Sequence, residues 1–177
     1  MKQLGLGLAV LAMSAASSVF AATGTITFNG EIVAGTCDPS VGGAASGTVT
    51  MLPANEGQLK TAADTAGATP FKITLKGAGC TAGTKIATPF FESESAKVNA
   101  DGRLINTGAA EKVDIQLLNS TGAVIDLNKP AATQELSTGV DVGGDANDFN
   151  YQAQYYATDA AVAGTVVGSV SYSVFYK

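Results

Sequence analysis

Apolar residues along this chain recur with period two far more often than with the helical period, and that pattern predicts an all-β protein. The clearest stretch is residues 71–76, where Phe71, Ile73 and Leu75 share one face and Lys72, Thr74 and Lys76 the other. The same alternation sets Val113, Ile115 and Leu117 against Lys112, Asp114 and Gln116. It recurs where Phe149, Tyr151, Ala153 and Tyr155 oppose Asn150, Gln152 and Gln154. Shorter strands are predicted over residues 25–33, 47–52, 86–91, 123–127 and 165–176. Turn-forming residues lie between them, among them Asp38-Pro39-Ser40, Gly42-Gly43, Asn119-Ser120-Thr121-Gly122 and Gly143-Gly144-Asp145. Residues 64–68 hold a helical turn at most. Many short strands separated by turn chemistry describe an antiparallel sandwich, and no repeat, linker or domain boundary interrupts it.

The front of the chain stands outside this pattern. Lys2 leads into an apolar stretch over residues 4–13, then serines, then Val19-Phe20-Ala21 with small residues at the positions a signal peptidase reads. Residues 1–21 are therefore expected to be a secretory leader cleaved after Ala21. The apolar stretch falls short of the roughly 20 residues that cross a bilayer. Of the 177 residues, 156 remain once the first 21 are removed, enough for one domain with its own core. Net charge is −5 for the whole chain, and the basic residues are scattered, so no nucleic-acid partner is expected.

Two cysteines, Cys37 and Cys80, remain in an exported chain, and an even count in an oxidising compartment argues for one disulfide. Closing that loop contributes about 4 kcal/mol on the chain-entropy account. Histidine is absent, which removes His-based triads and His-containing zinc sites. Residues 77–85 resemble a phosphate-binding loop only superficially, since the lysine is misplaced and no helix follows. Asp141, Asp145 and Asp148 form an acidic cluster whose spacing matches no calcium loop. Glu92 and Glu94, on alternate positions of a predicted strand, are better read as a charged strand end than as a catalytic pair. Nothing here points to an enzyme, a metal or a cofactor.

The two ends of the chain pose a problem about edges. In the last predicted strand Val166, Gly168, Val170, Tyr172, Val174 and Tyr176 share one parity, and the chain stops with no partner to follow. Neither a charge nor a proline lies between Thr165 and Tyr176 to protect such an edge. The segment after Ala21 offers a matching piece, with Gly24, Ile26 and Phe28 on one side of an alternating run. It is either the first strand of its own domain or a strand lent to a neighbouring copy, and spacing alone leaves both open.

Several features then stand in order behind the leader: Thr27-Phe28-Asn29-Gly30-Glu31-Ile32-Val33 leading to Cys37, a second cysteine at Cys80, Phe149 with Tyr155-Tyr156-Ala157-Thr158, Gly164 fourteenth from the end, and Tyr176 as the penultimate residue. Together they resemble the major pilin subunits of chaperone–usher fimbriae of the type 1 and P pilus kind, over nearly the whole chain after the leader. The resemblance implies an incomplete immunoglobulin-like sandwich lacking its last strand and completed by donor-strand exchange. Residues 22–36 would be an N-terminal donor extension running into the first strand, and residues 37–177 the pilin domain. Gly24, Ile26 and Phe28 would be the donated side chains. Val170, Tyr172, Val174 and Tyr176 would form the groove edge met by a periplasmic chaperone, and Cys37 and Cys80 the disulfide. The implied partners are neighbouring pilin subunits in a homopolymer, that chaperone and an outer-membrane usher. The implied destination is a cell-surface fimbrium, reached through the periplasm and contributing to adhesion. The segment ahead of Thr25 is shorter than in many members of the family, which leaves the donor register open. A single domain has no room for the lectin domain of a tip adhesin. The competing function is a secreted, self-contained monomeric binding or adhesion module whose N-terminal strand folds back on its own immunoglobulin-like sandwich.

Overall fold

Long alternating stretches become long strands, and short ones take their length from whatever lies beside them. The computed structural model of the chain describes residues 37–77, 79–80, 86–134, 140–143 and 147–176, all within the compact unit Val33–Lys177. Among these residues the strands are β1 (Asp38–Val41), β2 (Thr65–Lys76), β3 (Ile86–Phe91), β4 (Glu111–Asn119), β5 (Val124–Ile125), β6 (Val140–Asp141), β7 (Asn147–Val162) and β8 (Tyr172–Tyr176). One 3-10 turn, Glu56–Gln58, is capped by the Asn55 side chain, which accepts from the Gly57 amide at 2.7 Å. A five-stranded sheet has the order β1-β2-β7-β4-β5 and a three-stranded sheet the order β6-β3-β8. Every pairing is antiparallel.

The core lies between the inner faces of the two sheets. The register sets Ile73 opposite Phe149 and Phe71 opposite Tyr151, so the inward residues of β2 and β7 share one face. Ile73, Leu75, Phe149 and Tyr151 are at most 1% exposed. From β3, Phe91 meets the Tyr151 ring edge-on at 5.1 Å between centroids. The outward residues of the same strands are polar and paired across the sheet: Lys72 Nζ lies 2.6 Å from Asp148 Oδ2, and Thr74 donates to Asp148 Oδ1 at 2.6 Å. Cys37 and Cys80, both buried, are joined by the expected disulfide, tying the start of β1 to the turn after β2.

Turn chemistry closes the β4–β5 hairpin as its sequence predicts. Asn119 Oδ1 accepts from the amides of Thr121 and Ala123 at 2.9 Å each, and Gly122 takes a φ of 84°. Pro70 and Pro89 sit inside strands, each beyond the reach of the short strand on one flank: β1 covers only Ile73–Lys76 of β2, and β6 only Ile86 and Ala87 of β3. A residue without an N–H is tolerated at such a position.

Three expectations change. Residues 64–68 are not a helical turn: strand β2 begins at Thr65 and bulges between Ala66 and Thr69, where Gly67 lies against the Tyr155 ring with φ 66°. The long partner β7 imposes extension there on residues of low strand preference. Residues 47–52 are irregular rather than a strand, although the Leu52 amide is bonded to Thr69 Oγ1 at 2.8 Å. The final strand is regular only over Tyr172–Tyr176, because the residues before it lie beside a loop instead of a strand.

Candidate functional site

The site follows from what borders β8. On one side it pairs with β3, from Ala87 opposite Tyr176 to Phe91 opposite Tyr172. On the other side no strand lies beside it among the described residues. An edge of this kind presents main-chain donors and acceptors to whatever extended chain arrives.

The four residues expected at the edge, Val170, Tyr172, Val174 and Tyr176, are brought together by the period-two parity. All are half-buried and pack against the main core. Fully buried neighbours such as Ile73 and Leu75 lie beneath the same layer, so the apolar interior is continuous with a partly open apolar surface along β8. Val41, Met51, Phe71 and Val166 join that surface. Parity already marks Phe71 and Val166 as inward-facing. Val41 carries no such mark, because turn residues flank it, and Met51 belongs to residues 47–52, expected as a strand and irregular in the structure.

Two tyrosines link β8 to the wall facing it. The Tyr172 hydroxyl donates to the Ala45 carbonyl at 3.0 Å, and the Tyr176 hydroxyl to the Cys37 carbonyl at 3.3 Å. Their rings therefore extend from β8 toward the segment that runs from the disulfide through β1. Burial pushes the Tyr172 phenol above the ordinary tyrosine range. Burial does the same at Tyr176, and the nearby Asp38 charge adds to it. Tyrosines are neutral at physiological pH in any case, and burial extends that neutral range further into the alkaline region.

The opposite parity of the strand is bonded outward. Ser173 donates to Glu92 Oε1 at 2.6 Å and Ser171 to Glu94 Oε1 at 2.5 Å. Lys97 lies 2.9 Å from the same Glu94 oxygen. The Ser171 hydrogen bond, followed by that from Lys97, holds the Glu94 carboxyl below the usual carboxylate range. Glu92 and Glu94 follow β3 rather than lying in it, and each carboxylate fastens the final strand from outside. In the acidic loop, Asp148 is engaged with Lys72 and Thr74, while Asp145 and the Asp141 side chain lie outside the described residues. Gly24, Ile26 and Phe28 likewise lie outside the described residues.

A family model described as FimA: Type-1 fimbrial protein, A matches residues 52–177. The chain is 41% identical over 163 residues to the Major fimbrial subunit SMF-1 of Stenotrophomonas maltophilia (strain K279a), covering 89% of this chain and 94% of that protein. It is 36% identical over 183 residues to the F17 fimbrial protein of Escherichia coli, covering 100% of each. Among solved structures, the P pilus rod subunit PapA superposes with a TM-score of 0.58 at 13% identity, covering 79% of this chain and 99% of that one. A chaperone–usher pilus structure superposes with a TM-score of 0.55 at 16% identity, covering 92% of this chain and 100% of that one. At such identities the two structures speak for the fold alone.

Proposed function

Because the chain belongs to the type-1 fimbrial protein A family, folds as an incomplete immunoglobulin-like sandwich and is a structural subunit of a bacterial surface fimbria, we propose that it polymerises by lending Gly24, Ile26 and Phe28 to the groove beside β8 of a neighbouring copy. The observation that carries this reading is the half-exposed apolar surface of Val170, Tyr172, Val174 and Tyr176 on a strand bordered on one side only among the described residues. An incoming strand supplies both missing parts at once, main-chain hydrogen bonds to the edge and side chains to cover the surface. Burying Ile26 and Phe28 there contributes roughly 1.5–3 kcal/mol each. A head-to-tail contact that does not close on itself yields a fibre.

Before assembly the same edge is an aggregation hazard. A periplasmic chaperone covers it by pairing with the final strand, and at the outer-membrane usher the extension of the next subunit displaces the chaperone. The exchange replaces a transient partner with a better-fitting one and needs no nucleotide. Residues 1–21 direct export and are removed after Ala21. No catalytic step and no cofactor enter this account, and the finished fibre contributes to adhesion through its surface.

Phe28→Asp places a carboxylate where the groove is apolar, which is costly without a partner. On an unheated denaturing gel the unaltered chain is expected to run as a ladder and the variant as monomer. A ladder of undiminished length from Phe28→Asp would overturn the proposal.

A further inference from the structure

The final strand changes partners along its length. The Ala110 amide donates to the Thr165 carbonyl at 2.9 Å and the Thr107 amide to the Val167 carbonyl at 2.8 Å, whereas the pairing with β3 begins only at Tyr172. Near the start of that change stands one side chain. Asn106 Oδ1 accepts from the Val167 amide at 2.9 Å and from the Gly108 amide at 2.8 Å, and its Nδ2 donates to the Ala110 carbonyl at 2.8 Å. Both backbone groups of Val167 are therefore held by two consecutive residues, 106 and 107. The Val167 side chain, 55% exposed, adds little packing to hold it there. Three bonds from one neutral side chain require both an acceptor and a donor, which the amide of asparagine provides. The other end of the strand is set separately, by Tyr172 and Tyr176 on Ala45 and Cys37.

We infer that Asn106 is a positioning residue for strand uptake: by fixing Val167 it sets where the final strand lies at the Val166–Val170 end of the groove, and so how firmly the adjoining end of an incoming strand seats. The inference rests on the donor-strand reading above. Every strand pair described in this fold is antiparallel. An incoming strand of the same sense brings its C-terminal half, with Ile32 on the parity of Ile26 and Phe28, beside Val166 and Val170.

The test uses the whole chain after Ala21, kept monomeric so that the groove is open, unaltered and as Asn106→Ala and Asn106→Asp. Fluorescent peptides of residues 22–33 are bound to it, unaltered or carrying Ile26→Ala or Ile32→Ala, and their release is followed on adding excess unlabelled peptide. Asn106→Ala is expected to release the unaltered peptide about tenfold faster. It should release the Ile26→Ala peptide faster by the same factor, and the Ile32→Ala peptide by less than about threefold, because that anchor is already lost. Asn106→Asp keeps the acceptor for Val167 and should fall between. Equal acceleration with all three peptides would mean a general loosening and would overturn the inference, as would an unchanged release rate. If no peptide binds the unaltered chain, the donor-strand reading itself falls and takes the inference with it, a result distinct from the other two.

Discussion

The two sheets of this sandwich are made from the same kind of sequence and end in different states. In the five-stranded sheet, β7 has β2 on one side and β4 on the other, and its inward residues Phe149 and Tyr151 are 1% exposed. In the three-stranded sheet, β8 alternates as cleanly, yet Val174, Tyr172 and Tyr176 stay half-exposed because a strand lies on one side only among the described residues. Side-chain type does not separate β7 from β8; among the described residues the first has a strand on both sides and the second on one. Among the described residues β8 thus combines an apolar parity with one open side, while the core it packs against is closed.

That contrast can be broken by substitution. Ile73→Ala, in the closed half at 0% exposure, is expected to destabilise the subunit by about 2–5 kcal/mol in urea unfolding. Val174→Ala should cost the unpolymerised subunit about 1 kcal/mol or less, and cost more once an incoming strand covers it. Equal losses in the unpolymerised subunit would erase the distinction between the halves. Gly164→Val tests the approach to β8: a Cβ at Gly164 would meet the backbone of Ala109 and Ala110, which cannot rotate away. The expected cost is about 1–3 kcal/mol, read as a lowered unfolding midpoint.

Smaller effects follow from titration, with opposite signs at the two faces. At β8 the tyrosines Tyr172 and Tyr176 have pKa values raised by burial. The folded state therefore holds its phenolic protons longer than the unfolded chain. This contribution is complete below the ordinary tyrosine value of about 10 and is lost as pH rises through the raised values. Fibres should dissociate faster in that alkaline window, and Tyr172→Phe with Tyr176→Phe should remove the extra pH dependence. On the outer face of the closed sheet, hydrogen bonds from Lys72 and then Thr74 lower the Asp148 pKa. That contribution is complete above the ordinary carboxylate range and is lost as pH falls through the lowered value. Both partners are more than a third exposed, so Asp148→Asn should cost only about 0.2–1 kcal/mol and less in high salt.

Much of the closed half was legible in the sequence, because bulky residues at alternate positions have one sensible arrangement. Residues 71–76 and 149–155 fall in β2 and β7 with the predicted faces inward. The start of β2 was not legible, since Ala66 and Gly67 are extended by their long partner rather than by their own preference. Nor was the change of partner along the final strand, whose first residues bond to a loop held by Asn106, a polar residue in no apolar pattern. At the open edge, parity identifies Val170, Tyr172, Val174 and Tyr176. The wall that faces them is invisible to any local pattern, because the Tyr172 and Tyr176 hydroxyls reach across 127 and 139 residues of chain.

The most direct measurement is the thermal unfolding midpoint of a chain that carries a second copy of residues 23–33 joined after Lys177 by a flexible linker, with its own N-terminal copy deleted. It is compared with the same deleted chain lacking the graft and with the chain after Ala21 kept monomeric. The account predicts a monomeric product with a midpoint well above both. A graft that only restores the midpoint of the ungrafted monomer, or leaves it where deletion put it, would mean that the sandwich is complete in one chain, and would contradict strand donation between copies.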